Sequence, residues 1–389
     1  MAISVVLVTT GAAWLIRRAE GGSLAGGGPS GPWRAYPEAF VARGGYLSGP
    51  RVLVADPHGC FAGFGQDQGA LGIGPAYWVA AGDCTHPTNV TRTRPPIGDA
   101  LPTDDRTSVT AAIPAHGGGF LAVIQHRYFG DAYAYDSVIL RGTPTGGWRT
   151  VAEFSTDTPR SSHIGPNGLV AVERGYVAVG NREQQPVAWI SRDGSSWSEV
   201  ALPLPSGSRE AYVGSIVAGP DGRLVAVGRH AFRGETAGSA AWLSTDDGAT
   251  WRLAEMPSVT GSPRLHSVVR TGRRYLALGA VDGNLGSPAL VLASADGSRW
   301  EVDHAAARAG VPYLGTAVAT PDGIVYAVSA MGRGSDGPDR LCATAWRLAA
   351  GAWTAEPMGC HGLPTSIVAL ASGRIAAVYS HTLYLRSPT

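Results

Sequence analysis

The chain has 389 residues, of which 44% are hydrophobic, 54 are Gly and 27 are Pro. Its 31 basic residues, all of them Arg, balance 30 acidic residues and leave a formal charge of +1. A nucleic-acid-binding chain normally carries a basic excess, so no nucleic-acid partner is predicted. The Gly- and Trp-rich composition favours a folded all-β chain built from many short strands.

The amino-terminal segment, residues 3–16, is apolar and uncharged and is followed by Arg17 and Arg18. Its length is typical of a signal-peptide core and short for a membrane span. We therefore predict a signal or signal-anchor segment at 1–18, a flexible Gly/Ser/Pro-rich linker at 19–31 and a folded domain at 32–389. A signal peptide carries its positive charges before the apolar run, whereas here they follow it. A start codon placed too far downstream would explain both the missing basic region and the short length. The alternative to a signal segment is a buried first strand.

The four cysteines form two pairs that are close in sequence, Cys60 with Cys84 and Cys342 with Cys360. An even number of paired cysteines indicates disulfides and an oxidising compartment. The sequence contains no Cys-x-x-Cys unit, so a zinc or redox motif is not predicted.

A repeat runs along the whole chain beyond the linker. Residues 189–197, 242–251 and 292–300 are its clearest copies, and degenerate copies end at Trp148 and Trp353. Successive copies lie about 50 residues apart, which is the size of one propeller blade. Upstream of each copy are two apolar strands, as in the Gly-Tyr-Val-Ala-Val-Gly segment at 175–180, and seven such units can be counted.

Each unit is predicted to be a four-stranded antiparallel meander, and the fold class is an all-β, seven-bladed β-propeller. The last unit lacks its fourth strand, while residues 31–37 resemble that missing strand. We therefore expect the amino-terminal strand to complete the last blade and close the ring. In this arrangement Cys60 begins the second strand of blade 1 and Cys84 ends its third, whereas Cys342 and Cys360 flank a hairpin of blade 6. Both pairs are then placed for disulfides across antiparallel strands.

The repeated hairpins carry the pattern Ser-x-Asp-(x)-Gly-x-x-Trp at 191–197, 244–251 and 294–300. On this pattern the chain resembles the Asp-box (BNR-repeat) propeller superfamily, which includes sialidases, sortilin-type receptors and a photosystem II assembly factor. The motif is specific for the fold and does not indicate an activity. We predict that the Asp side chains accept hydrogen bonds from the turn, Gly supplies a positive φ, and Trp packs between blades. The structural residues are then Asp193, Asp246, Asp296, Trp197, Trp251 and Trp300.

The resemblance raises the possibility of sialidase chemistry, which uses three Arg, a Tyr nucleophile polarised by Glu, and an Asp acid. The family's Arg-Ile-Pro signature is missing, since Ile113-Pro114 follows Ala112. Sialidases also have six blades rather than seven, and no catalytic residue can be transferred. No other catalytic motif is present. The ten His are scattered, so we predict no metal and no cofactor, with a metal site assembled from several blades as the alternative.

The candidate ligand-binding residues lie on the loop face, which carries the connections between blades and the loops joining second to third strands. A recurrent Arg before the innermost strand suggests a basic funnel for carboxylate, sulfate or phosphate; the alternative is a repeated structural role. The loop 126–135 of blade 2, beside the long insertion 92–106, suggests a sugar platform or a protein-binding patch, although Tyr133 and Tyr135 alternate like packed strand residues. The candidates are Arg106, Arg160, Arg209, Arg264 and, more loosely, Arg308, together with Arg127, Tyr128 and Phe129.

These features predict a monomeric, non-catalytic propeller that binds a protein or glycan partner through its loop face. The chain is expected in a bacterial envelope, either secreted or tethered to the membrane through residues 3–16. A divergent sialidase-like glycoside hydrolase or lyase is the alternative. An assembly factor for another envelope complex is a third possibility that the sequence does not separate from the first.

Overall fold

The structure is a computed structural model that describes residues 31–40, 49–56, 60–69, 72–80, 82, 84–89, 107–127, 135–143, 147–154, 164–220, 222–232, 235–272, 274–282, 287–333 and 341–388. The predicted signal or anchor segment and nearly all of the linker lie outside these residues. Residues Gly31–Thr389 form one compact unit. No helix of the described ranges is long and apolar enough to cross a membrane.

The unit is a seven-bladed β-propeller in which every blade is a four-stranded antiparallel sheet, as predicted. The strands, in the order of their blades, are as follows. Blade 1 contains β2 (Gly49–Ala55), β3 (Phe61–Gly69), β4 (Gly72–Ala80) and β5 (Thr88–Asn89), and blade 2 contains β6 (Thr107–Pro114), β7 (Phe120–Arg127), β8 (Tyr135–Thr143) and β9 (Gly147–Phe154). Blade 3 contains β10 (Ile164–Val172), β11 (Gly175–Arg182), β12 (Gln185–Ser191) and β13 (Ser198–Ala201), and blade 4 contains β14 (Glu210–Ala218), β15 (Leu224–Phe232), β16 (Glu235–Ser244) and β17 (Arg252–Leu253). Blade 5 contains β18 (Arg264–Thr271), β19 (Arg274–Ala280), β20 (Ala289–Ser294) and β21 (Glu301–Val302), and blade 6 contains β22 (Thr316–Ala319), β23 (Val325–Arg333), β24 (Leu341–Ala349) and β25 (Ala352–Gly359). Blade 7 contains β26 (Ser366–Ala369), β27 (Ile375–Tyr379), β28 (Thr382–Arg386) and, as its outermost strand, β1 (Trp33–Tyr36).

The ring closes through the amino-terminal strand, which confirms the prediction. Strand β1 runs antiparallel to β28, with Trp33 opposite Arg386 and Tyr36 opposite Leu383. The first and last strands of the propeller therefore share one blade, in which β1 takes the outermost position that the fourth strand takes in the other six blades.

The core is divided among the contacts between neighbouring blades. Second strands are continuous apolar runs because both faces of each sheet are covered by another blade. In β15, for example, residues 224–227 are 0% exposed. The buried residues of β11 and β12 pack with those of β14, β15 and β16 into one such cluster.

The innermost strands of blades 1–5 each carry a β-bulge at an equivalent position. In β18 the pairing with β19 passes from Leu265 directly to Ser267, so His266 is the extra residue. A bulge changes the direction of the side chain that it carries, and it places one residue per blade at the same height beside the central channel. The five bulged residues are Arg51, Thr110, Asn167, Gly214 and His266.

A short helix, α1 (His304–Arg308), lies in the connection from blade 5 to blade 6. It begins at Asp303, whose side chain accepts a hydrogen bond from the N–H of Ala305 at 2.9 Å. The sequence did not predict this helix. Its last residue, Arg308, does not directly precede an innermost strand, since β22 begins only at Thr316. The loose assignment of Arg308 to the recurrent Arg position is therefore wrong.

Both predicted disulfides are present. Cys60 and Cys84 have Cα atoms 5.6 Å apart, and Cys342 and Cys360 have Cα atoms 3.7 Å apart. Cys60 directly precedes β3 and Cys84 follows β4, so this bridge lies just outside the two strands that were expected to contain it. Two disulfides in one domain are typical of proteins from an oxidising compartment.

Candidate functional site

The repeated hairpins at 191–197, 244–251 and 294–300, called the box hairpins below, use their Asp side chains to hold the turn. Asp193 accepts hydrogen bonds at Oδ1 from the N–H groups of Ser195 at 2.7 Å and Ser196 at 2.9 Å. The bond from Ser196, and then that from Ser195, lowers the pKa of the Asp193 carboxyl. An ionised carboxylate that accepts turn N–H groups is a structural element rather than a proton donor.

The other two box hairpins repeat this arrangement. Asp246 accepts hydrogen bonds from the N–H and the hydroxyl of Thr250, at 2.9 and 2.6 Å. Asp296 accepts hydrogen bonds from the hydroxyl and N–H of Ser298 at 2.7 and 2.9 Å, and these bonds lower its pKa. All three Asp side chains therefore accept hydrogen bonds from residues of their own hairpins.

The Trp residues of the box hairpins pack between each blade and the one before it. Trp300 is 2% exposed and lies in a cluster with residues of blades 4 and 5. Its indole N–H donates to the main-chain oxygen of Gly297 at 3.2 Å, and that of Trp251 donates to Gly248 at 2.9 Å. Trp197 packs against the buried cluster of blades 2 and 3.

The meander topology separates these hairpins from the predicted ligand-binding residues. Innermost strands begin on the loop face, whereas the hairpins joining third to fourth strands lie on the opposite face, which we call the hairpin face. Arg264 begins β18 and Arg209 directly precedes β14, so both lie on the loop face. Arg127 ends β7 on this same face and is exposed. Arg106, Arg160, Tyr128 and Phe129 lie outside the described residues.

Blades 4, 5 and 6 bring basic and aromatic side chains together on the loop face. The guanidinium carbon of Arg229 lies 4.3 Å from the centre of the Tyr212 ring, directly across the β14–β15 pair. The rings of His266 and Tyr313 have their centres 5.4 Å apart. We call Tyr212, Arg229, Arg264, His266 and Tyr313 the basic–aromatic cluster.

The electrostatics of this cluster favour an anion. Burial, followed by the charges of Arg264 and Arg229, lowers the pKa of His266. Within the described residues, Nε2 of His266 and Nε of Arg264 are both buried without a hydrogen-bond partner. A carboxylate or sulfate oxygen could accept from such donors and would also oppose the local positive charge.

One carboxylate adjoins the cluster. The hydroxyl of Tyr212 donates to Oε2 of Glu210 at 3.1 Å. Tyr212 therefore has an acidic partner at its hydroxyl and a guanidinium over its ring, an arrangement that suits either ligand stacking or a polarised phenol.

Four members of the cluster were not singled out from the sequence: Tyr212, Arg229, His266 and Tyr313. Arg264 was singled out, because an Arg recurs just before the innermost strand in several blades. His266 is two residues further along the same strand, but its direction depends on the bulge, which forms through pairing with β19. The contact of Arg229 with Tyr212 likewise depends on strand register.

No group of three or more His, Cys, Asp or Glu side chains in the described ranges could hold a metal ion.

Comparison with known proteins supports the fold. No family model matches the chain, and no curated protein matches its sequence. Among solved structures, a protein of unknown function from Dyadobacter fermentans has a TM-score of 0.51 and 15% identity, over 72% of this chain and 95% of that one. A Hadza microbial sialidase has a TM-score of 0.51 and 14% identity, over 74% of this chain and 66% of its own. The WD40 propeller domain of Doa1 has a TM-score of 0.52 and 13% identity, over 89% of this chain and 95% of its own. At these identities the likeness shows a β-propeller and does not show an activity.

Proposed function

We propose that this chain is a non-catalytic Asp-box propeller of the bacterial envelope that binds a protein or glycan partner through its loop face. The basic–aromatic cluster is the observation that carries this proposal. It combines two buried nitrogen atoms that have no hydrogen-bond partner among the described residues, Nε2 of His266 and Nε of Arg264, with the rings of Tyr212 and Tyr313. Guanidinium groups bind carboxylates and sulfates, while aromatic rings pack against sugar faces or protein side chains.

The location proposed for the protein is outside the cytoplasm, either secreted or tethered to the membrane. Two disulfides support an oxidising compartment. The apolar segment at 3–16 supports export or anchoring.

The test is binding of the purified full chain to arrays of sialylated, sulfated and uncharged glycans, and to proteins captured from envelope extracts. We expect a ligand whose affinity falls about tenfold or more in Arg264→Ala, because a charge-assisted contact is lost. Arg308→Ala is the matched control, since Arg308 lies at the end of α1, outside the cluster. Equal affinity of both variants for every ligand would place the binding surface elsewhere.

A divergent sialidase-like glycoside hydrolase or lyase is the second candidate. The hydrogen bond from Tyr212 to Glu210 favours it, because a tyrosine nucleophile needs a carboxylate that accepts its proton. The missing Arg-Ile-Pro signature and the seventh blade weigh against it.

Incubation with fluorogenic glycosides, sialosides included, separates the two functions. Turnover that is lost in Tyr212→Phe and retained in Tyr379→Phe, an exposed tyrosine of blade 7, would establish an enzyme. The absence of turnover over the whole panel is the result that the binding function predicts.

A further inference from the structure

Arginine side chains join neighbouring blades on the hairpin face. Arg141 of β8 donates through Nη1 to the main-chain oxygen of Asp193 in the next blade, and through Nη2 to that of His116 at 3.0 Å. Arg223, which directly precedes β15, donates through Nη1 to the main-chain oxygen of Asp296 at 2.7 Å. At the seams between blades 2 and 3 and between blades 4 and 5, the main-chain oxygen of the box Asp is thus an acceptor for guanidinium.

The seam between blades 3 and 4 lacks this arginine. Arg141 pairs with Leu121 in blade 2, and the equivalent residue of blade 3 is Ile190, which pairs with Val177. The position of Arg223, just before the apolar second strand, is taken by Gly175. The main-chain oxygen of Asp246 accepts the N–H of Ala249 at 3.2 Å. No hydrogen bond between described residues brings a guanidinium to it.

A groove of about 600 Å³ occupies this seam. Tyr176 and Ile190 give it apolar lining, and Asp193, Asp246 and Asp247 give it carboxylates. Arg174 and Arg192 also line it and are exposed. Three carboxylates against two guanidinium groups leave the groove with a net negative charge.

Asp247 is an additional residue in this box hairpin, which is one position longer than the other two. Its φ is +55°, and its N–H donates to the main-chain oxygen of Gly222 at 3.0 Å. Its Oδ1 atom is buried with no hydrogen-bond partner in the described part of the chain. A buried carboxylate oxygen without a donor has lost its hydrogen bonds to water, which costs free energy. A bound ligand that donates a hydrogen bond to this oxygen offsets that cost.

We propose that this groove binds an arginine side chain of a partner protein. The guanidinium donates to the main-chain oxygen of Asp246, as Arg141 and Arg223 donate to main-chain oxygens at the neighbouring seams. It donates in addition to the carboxylate of Asp247. Its methylene stem packs on Tyr176 and Ile190. A planar group with several fixed donors can bridge two acceptors, whereas a lysine ammonium is a single point charge. The site lies on the face opposite the basic–aromatic cluster and is independent of the function proposed for that cluster.

The experiment is a titration of isotope-labelled full chain with acetyl-arginine amide, followed by amide NMR shifts. Acetyl-citrulline amide is the matched probe, because it has the same shape and no charge. We expect saturable shifts at residues 246–249 with arginine and none with citrulline. Equal responses to the two probes, or no response at these residues, would overturn the proposal.

Two variants give the proposal a second test. Asp247→Asn keeps a residue that tolerates positive φ and should weaken acetyl-arginine amide about fivefold, through loss of the charge-assisted bond. Glu153→Gln, an equal change at an exposed position of blade 2, should leave the affinity unchanged.

Ile190→Arg places an arginine of the chain itself in the groove, at the position that Arg141 takes in blade 2. We expect it to abolish binding of the probe and to raise Tm, because the groove is then filled. Unchanged affinity in a folded Ile190→Arg protein, or in Asp247→Asn, would show that the probe binds elsewhere.

Discussion

The pKa of His266 makes the stability of the propeller depend on pH. Burial and the nearby charges of Arg264 and Arg229 lower this pKa below the usual 6.5, and burial lowers that of His230 as well. Below pH 6.5 the unfolded chain therefore binds more protons than the folded one. The stability that these groups contribute is complete above pH 6.5 and is lost as pH falls through the depressed pKa values.

We expect the urea midpoint of the protein to fall between pH 7.5 and pH 5.5, and to fall less in His266→Gln. His304→Gln is the control, because His304 is exposed at the start of α1. The same pH dependence in both variants would show that His266 does not contribute to it. The measurement is urea unfolding followed by Trp fluorescence at each pH.

The glycines of the box hairpins satisfy two requirements, a positive φ and a close approach to the preceding blade. Gly297 has a φ of +83°, and a Cβ atom there would lie 2.5 Å from Cγ2 of Val225. Gly351, in the hairpin of blade 6, has a φ of +78°, but its Cβ atom would meet nothing within 4 Å.

Comparison of these two glycines separates strain in the backbone from contact between blades. Gly351→Ala should cost about 1 kcal/mol, the price of an L-residue at positive φ. Gly297→Ala should cost about 2–4 kcal/mol, since overpacking adds to that strain. Urea unfolding of the two variants measures both values. Equal losses would show that the blades move apart without cost.

At the scale of the element, the β24–β25 hairpin is fastened at its open end by the Cys342–Cys360 disulfide. This bond spans 18 residues. For a loop of this size, the constraint on the unfolded chain stabilises the protein by about 3 kcal/mol. The double variant Cys342→Ser/Cys360→Ser should lose about this much free energy of unfolding. Addition of a reductant to that variant measures the separate contribution of the Cys60–Cys84 disulfide to the free energy of unfolding. An unchanged free energy of unfolding in the double variant would mean that the Cys342–Cys360 disulfide does not restrict the unfolded chain.

The sequence allowed the strands and the blade number to be predicted, because both depend on residues that repeat from unit to unit. Both disulfides were predicted from cysteine pairs that are close in sequence and that the repeat places on neighbouring strands. Trp at the end of the box hairpin and the apolar second strand set the length of each unit. The bulges in blades 1–5 were not predicted, since a bulge is decided by pairing between two strands and neither strand shows it alone. Helix α1 was missed because a single turn of His-Ala-Ala-Ala-Arg in a long connection carries no periodicity.

The same distinction applies to the candidate site. Arg264 and Arg209 were predicted from a repeated position, whereas Tyr212 and Arg229 meet only through the register of β14 with β15. The orientation of His266 depends on a bulge in its own strand. Its ring contact is with Tyr313, which lies in the connection from blade 5 to blade 6. A ligand site in a propeller is assembled from positions that differ between blades, and repetition in the sequence does not reveal them.

For the whole molecule, a buried ion pair joins the blade in which the ring closes to the blade before it. Arg386 of β28 donates to both carboxylate oxygens of Glu356 in β25, at 2.8 and 2.9 Å. The indole N–H of Trp33, in the amino-terminal strand, donates to the same carboxylate at 2.8 Å. Glu356 thus connects blade 6 to the first and last strands of the propeller, which are both in blade 7. Its hydrogen bond raises the pKa of Arg386.

Blade 3 contains the same three side-chain types in an exposed setting, which supplies a control. Glu199 accepts from Arg182 at 2.7 Å and from the indole of Trp189 at 3.0 Å. The Arg and Glu side chains are 45% and 34% exposed there, whereas those of Arg386 and Glu356 are 6% and 12% exposed.

Replacement of each glutamate by glutamine should therefore have different consequences. Glu356→Gln leaves a buried guanidinium without its counter-charge and should lower the free energy of unfolding by about 3–5 kcal/mol. Glu199→Gln breaks a solvated pair and should cost less than about 1 kcal/mol. Amide hydrogen exchange should accelerate in β1 and β28 of the Glu356 variant before it does so in blade 3, because the ring opens where its ends meet. Equal losses of stability, or exchange that accelerates uniformly around the ring, would mean that closure does not depend on this pair.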